Sequence, residues 1–200
     1  MIKLKYPLIL ASESPRRKQL LTEAGFSFTV FPVKVSENLK KNLNLDAALI
    51  EIAKEKAIAS INEHNLLNTQ NFLVLSADTM VIHEDRPLGK PKSRQDAVQM
   101  LGRLSGNKHE VKTAIFLIES LSKKFACDVV TTEVCFRPIL RQEIEEYVAS
   151  GEPMDKAGAY GIQGQGGRFV EKYEGPYDNV VGLPITELKK ILELNHWMKE

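Results

Sequence analysis

Residues 7–21 read Pro7-Leu-Ile-Leu-Ala-Ser-Glu-Ser-Pro-Arg-Arg-Lys-Gln-Leu-Leu21. The apolar run at 8–11 predicts a short buried strand. It breaks at Ser12-Glu13-Ser14, where an amphipathic pattern through Leu20, Leu21 and Ala24 takes over. Ser14 is a good N-cap, and Pro15 suits the first helical position, where a missing N–H costs nothing. The open amides of a helix start already favour an anion. Arg16 and Arg17 add two guanidiniums to a turn whose dipole alone prefers acids, which makes sense where an anion absorbs both charges. A capped surface helix with solvated arginines is the alternative, and this stretch alone leaves both open.

Working outward, 27–31 predicts a second short strand and 36–44 a polar loop. Apolar residues at helical spacing predict a helix over 45–61, with Asp46 near its start. A buried strand is predicted at 72–76, ending at Ala77-Asp78-Thr79. Another apolar group, 80–82, leads to a turn at 84–87. Gly89-Lys90-Pro91 reads as loop, and 93–104 as a helix stopped by Ser105-Gly106. Two long strand-like stretches, 110–118 and 125–136, predict an antiparallel hairpin. A helix over 139–149, an ordered glycine-dense loop at 158–167, a strand at 169–173 and a helix at 184–194 complete the chain. Helices alternating with parallel-type strands early, then a hairpin, imply an α/β fold: a mixed twisted sheet flanked by helices, with a cleft between two lobes. We expect a single domain over 1–200.

Composition excludes several classes. A formal net charge of +1 over 200 residues speaks against a general polyanion binder, so any anion site is a local cluster and no nucleic-acid partner is expected. Charge follows the short run at 8–11 at once, so it is no signal sequence, and no run approaches membrane-spanning length. The two cysteines, Cys127 and Cys135, lie in a strand pattern and read as buried thiols rather than a disulfide or metal pair. A cytoplasmic protein is expected.

Several strand-to-loop transitions present polar groups. Asp78 and Thr79 fall where α/β proteins place ligand-binding groups; a turn or cap role is the plain alternative. Lys90 sits on a loop with fixed flanks, although a lone loop lysine is usually solvated. Lys56, beside Lys54 and Glu55, reads by default as part of a solvated helix face. Glu37 has the weakest case of these. Asp155-Lys156 suggests an ion pair that pins the following loop. The four histidines show no ligand spacing, and the GQGGR at 164–168 is too weak to count as a nucleotide motif.

Taken together, these pieces resemble the Maf family of nucleoside triphosphate pyrophosphatases. The resemblance rests on Leu10-Ala-Ser-Glu-Ser-Pro-Arg-Arg17, Ala53-Lys-Glu-Lys-Ala57, Ala77-Asp-Thr79, Gly89-Lys-Pro91, Leu104-Ser-Gly106, Asp155-Lys-Ala-Gly-Ala-Tyr-Gly-Ile-Gln-Gly164 and Val181-Gly-Leu-Pro184. Ser-Pro-Arg-Arg, Ala-Asp-Thr and Tyr-Gly-Ile-Gln-Gly are similar to the branch acting on dTTP and UTP. The sister branch, which prefers 7-methyl-GTP, is expected to carry Trp after Ser-Pro, Gln after the Asp, and Glu for the Gln.

The resemblance implies water attack on the α-phosphorus of a nucleoside triphosphate, releasing monophosphate and pyrophosphate. It implies Asp78, Arg17, Lys56 and Lys90 as catalytic residues. It assigns Ser12, Ser14, Arg16, Thr79 and Gln163 to substrate binding, and Glu37 with Asp78 to a divalent magnesium or manganese ion. The expectation is a shared pocket in which the cations converge opposite the metal-holding acid. A homodimer is a family-level expectation. A non-hydrolytic nucleotide sensor regulating cell division or septum formation is the alternative.

Overall fold

The computed structural model describes residues 2–36, 39–40, 43–66 and 70–199. Among the described residues seven strands form one mixed sheet: β1 (Leu8–Leu10), β2 (Phe28–Val30), β3 (Leu73–His83), β4 (Arg86–Leu88), β5 (Lys108–Glu119), β6 (Phe125–Phe136) and β7 (Val170–Glu174). The order is β2-β1-β3-β5-β6-β7, with β4 on β3. The helices are α1 (Pro15–Glu23), α2 (Leu45–Glu63), α3 (Arg94–Leu104), α4 (Arg141–Ala149), α5 (Tyr177–Val181) and α6 (Ile185–Leu194). The mixed α/β architecture expected from the sequence is therefore present. β5 and β6 are sheet neighbours joined only by residues 120–124, too short a link for a crossover, as the predicted hairpin requires.

The chain divides into two compact units. One comprises Met1–Asp78, Thr113–Val130 and Gly182–Glu200; the other comprises Thr79–Lys112 and Thr131–Val181. Each has its own apolar core. In the first unit β1 pairs in parallel with both β2 and β3. Leu8, Leu10, Leu73, Leu75 and Ala77 share a core with Leu21 of α1 and Leu188 of α6. Strand side chains alternate, so Ser76 and Asp78 point the other way, toward α2. There the Ser76 hydroxyl donates to the Ala53 carbonyl of α2 at 2.6 Å. In the second unit α3, α4 and the ends of β3 and β6 pack around Leu101, Phe136, Tyr147, Tyr160 and Phe169.

Two expectations are corrected. β3 does not stop at Ala77-Asp78-Thr79 but runs 11 residues, with Asp78 in its interior. Thr79, Val81 and Ile82 are β-branched and extend the strand past the acid, a tertiary context that overrides aspartate's low propensity. The partner of β3 changes along its length: Leu75 pairs with Leu10 of β1, whereas Val81 pairs with Leu88 of β4. The two cysteines are free, as expected, but only half-buried, because β6 turns one side toward solvent.

Candidate functional site

In the first unit the sequence produces α1 much as predicted. Ser14 caps it, its Oγ accepting from the Arg17 amide at 3.4 Å, with Pro15 in the first turn. Ser12 Oγ accepts from the Ser14 amide at 3.2 Å and from Arg17 Nη1 at 3.2 Å. Both hydroxyls serve as acceptors there, so each retains its proton for donation. Arg17 Nε donates to the Gly182 carbonyl at 2.8 Å, joining the Ser-Pro-Arg-Arg and Val-Gly-Leu-Pro blocks. Gly182 has φ +123°, a conformation that favours glycine and aims that carbonyl. Arg16 is half-buried and makes no hydrogen bond or ion pair among the described residues.

Lys56 and Asp78 form a buried ion pair. Lys56 Nζ lies 2.5 Å from Asp78 Oδ1, and the residues are 8% and 6% exposed. This overturns the solvated reading of Lys56. Counting along α2, Ile52, Ala53, Lys56, Ala57 and Ser60 occupy its buried stripe, so the lysine stands in core register. It likewise overturns the turn or cap reading of Asp78. An ion pair this buried is strong only when well hydrogen-bonded, and it fixes the carboxylate it faces.

α1 and α2 therefore cover opposite faces of the parallel strands. Ser12 lies two residues beyond Leu10, and Asp78 three beyond Leu75, its register partner. Ser12 and Asp78 thus both lie just past the carboxyl end of the β1–β3 parallel ladder, the kind of position where ligands bind in open α/β sheets.

In the second unit lie Thr79, Lys90 and Gln163. Thr79 is half-buried on the opposite side of β3 from Asp78. Lys90 is exposed between β4 and α3, and the Gly89 carbonyl next to it accepts from the Gly158 amide at 3.1 Å, tying two sequence blocks together. Gly158 has φ +67°, and a Cβ there would stand 2.8 Å from Val81 Cγ2. Gln163 is exposed, with no hydrogen bond among the described residues. Lys156 pairs with Asp155 at 2.7 Å, as expected, and also donates to the Glu152 carbonyl at 2.6 Å. The loop is ordered, with short 3-10 turns at Ala157–Ala159 and Gln165–Phe169.

Glu37 lies outside the described residues. Among the described residues no group of three or more His, Cys, Asp or Glu is placed to hold a metal. Asp78 is a buried carboxylate just past the end of the β1–β3 parallel ladder. That donor set suits a magnesium- or manganese-type ion held largely by water and phosphate oxygens, and is too sparse for zinc.

Sequence reasoning missed His109. It is 3% exposed on β5, its Nε2 lies 2.8 Å from the Tyr160 hydroxyl, and its ring meets Phe136 edge-on. Burial, helped by the nearby His83, pushes its pKa down to about 3. The folded protein refuses a proton that the unfolded chain accepts near pH 6.5, so this stability is complete above pH 6.5 and lost as pH falls toward 3. His109→Gln is expected to reduce the loss of unfolding free energy between pH 7.5 and pH 5 by about 2 kcal/mol, measured by denaturant titration. An unchanged pH difference excludes this account. No spacing rule marks His109; its place in the alternation with Val111 and Thr113, both buried, is the available signal.

The fold and site define an α/β protein with hydroxyls, a guanidinium and a buried lysine–carboxylate pair just past the end of a parallel ladder. A family model described as Maf-like protein matches residues 7–195. The chain belongs to this family. It is 55% identical over 189 residues to the dTTP/UTP pyrophosphatase of Bdellovibrio bacteriovorus, covering 94% of this chain and 98% of that protein. It is 43% identical over 186 residues to the dTTP/UTP pyrophosphatase of Vibrio parahaemolyticus, covering 93% and 95%. Among solved structures, the Staphylococcus aureus Ham1 protein matches over 94% of this chain and 99% of that one, at 14% identity and a TM-score of 0.45. No described helix is long and apolar enough to cross a membrane.

Proposed function

We propose that this protein is a nucleoside triphosphate pyrophosphatase that hydrolyses dTTP and UTP to the monophosphate and pyrophosphate. The observation that carries the reading is the buried Lys56–Asp78 pair just past the end of the β1–β3 parallel ladder, next in level to Ser12. Relatives sharing up to 55% of its residues bear the name dTTP/UTP pyrophosphatase. Neither relative's name speaks for the non-hydrolytic alternative.

The chemistry follows from charge. The leaving pyrophosphate is highly anionic, so catalysis rests on positioning and electrostatic stabilisation. Arg17, fixed by Ser12 and Gly182, presents a preset guanidinium. Ser12 and Ser14 donate their hydroxyl protons to phosphate oxygens, with the first-turn amides of α1 behind them. Lys56 and Lys90 add charge to the triphosphate, and Arg16 and Thr79 contribute to substrate selection. Asp78 accepts a proton from the attacking water. Asp78 and Glu37 would hold the divalent ion, which supplies charge neutralisation on phosphate oxygens when bound. Clearance of modified pyrimidine nucleotides from the cytoplasmic pool fits this activity, and a homodimer belongs to the same reading.

Gln163 reads the base. Uracil and thymine offer an acceptor at O4 beside a donor at N3, and a glutamine amide matches both. Gln163→Glu is expected to lower turnover of dTTP and UTP by about tenfold or more while the melting temperature stays near wild type. Equal losses of activity and thermal stability would make the residue structural. The function itself is tested by assaying pyrophosphate release from dTTP, UTP, CTP and 7-methyl-GTP with magnesium or manganese, one metal at a time. Absence of release from dTTP and UTP overturns it.

A further inference from the structure

Gln163 has an exposed side chain, yet a base-reading group must be held closely in place to discriminate. What holds it is backbone. Ahead of it, the Gly161 amide donates to the Tyr147 hydroxyl oxygen at 3.2 Å. Behind it, the Gln165 amide donates to Glu152 Oε2 at 3.1 Å and the Gly166 amide to Oε1 at 3.4 Å. The Tyr147 hydroxyl in turn donates to Glu152 Oε1 at 3.0 Å. One phenol–carboxylate pair thus clasps both legs of the apex formed by residues 162–164. The loop closes tightly on that pair. A Cβ on Gly164 would stand 2.7 Å from Glu152 Oε1, and one on Gly166 2.6 Å from the Tyr147 oxygen. Tyr147 is fully buried in the core of its unit, so the clasp is anchored to a rigid element.

We propose that Glu152, acting with Tyr147, is a positioning residue for base selection: the clasp fixes the loop apex so that the Gln163 amide meets a uracil-type edge and not a cytosine edge. This rests on the assignment of Gln163 as base reader given above. A glutamine amide turned over by half a rotation presents its donor and acceptor in the reverse order, which suits cytosine. Glutamine alone therefore does not select between the two pyrimidines; its placement does. Loosening the apex lets the amide turn over, so UTP loses its advantage over CTP. A clasp that only stabilised the fold would depress both substrates together.

The test compares kcat/KM for UTP and CTP in the wild type, Glu152→Ala, Gln163→Ala and the combined variant, with melting temperatures alongside. The UTP-over-CTP ratio is expected to narrow by about tenfold or more in Glu152→Ala, since small misplacements of binding groups carry losses of 10- to 100-fold. The combined variant is expected to narrow it no further than Gln163→Ala alone. A ratio intact in Glu152→Ala but narrowed in Gln163→Ala removes the clasp from selection and leaves Gln163 as reader. A ratio intact in Gln163→Ala, or absent in the wild type, removes the base-reading assignment and the clasp's role with it. If Glu152→Ala does not fold, Tyr147→Phe takes one hydroxyl from the same clasp and is judged on the same ratio.

Discussion

The Asp78→Asn protein is expected to fold and to release pyrophosphate from dTTP at least about a hundredfold more slowly than the wild type, since a positioned base contributes 10²–10⁴-fold. Asparagine keeps an oxygen for Lys56 Nζ, now 2.5 Å from Asp78 Oδ1, and fits the same space within β3. What it loses is the ability to take a proton and the negative charge that would face a divalent ion. The loss is expected in kcat, because the groups proposed to grip the triphosphate remain. Pyrophosphate release gives the rate, and circular dichroism with a melting curve checks the fold. Turnover within a few-fold of wild type would take Asp78 out of the chemistry.

Lys56→Met carries a double expectation. The substitution keeps an unbranched side chain, one atom shorter, on the buried stripe of α2 but removes the ammonium from beside a carboxylate that is 6% exposed. Breaking a buried pair by deleting one partner costs about 3 kcal/mol or more, read as a lower denaturation midpoint. Hydrolysis is expected to fall about a hundredfold, the scale for losing one stabilising charge or donor. Replacing both partners, as Lys56→Met with Asp78→Leu, is expected to restore most of the stability and none of the activity. A double variant that is less stable than either single one would show that the pair is not coupled in this way.

What the sequence makes legible is local. The Ser14 cap and Pro15 are chosen by short-range geometry, and α1 forms where they place it. The Asp155–Lys156 pair is likewise a near-neighbour contact. Lys56 shows the limit. Its position among Ile52, Ala53 and Ala57 marked the buried stripe, but its partner stands 22 residues further on, and the adjacent Lys54 and Glu55 favoured a solvated reading. The continuous apolar run stops before Asp78, and only the pairing of Val81 with Leu88 shows the strand continuing past it. The Leu104-Ser-Gly106 block carries a structural duty: the Ser105 hydroxyl accepts from the Ile139 amide at 2.7 Å ahead of α4. The Tyr147–Glu152 clasp had no signal beyond the dense glycines that make room for it.

The change of partner along β3 fixes how this gene segment can evolve. Leu75 is committed to one neighbour and Val81 to another, with a set number of peptide units between them. Side chains alternate with a period of two, so deleting or adding one codon there would swap the orientations of the acid and the threonine that follows it. No slippage repairs the error without breaking one of the two ladders. Point changes in this interval leave both ladders in register, whereas changes of length do not. Indels are expected instead in the connection at 120–124, where the hairpin can absorb them.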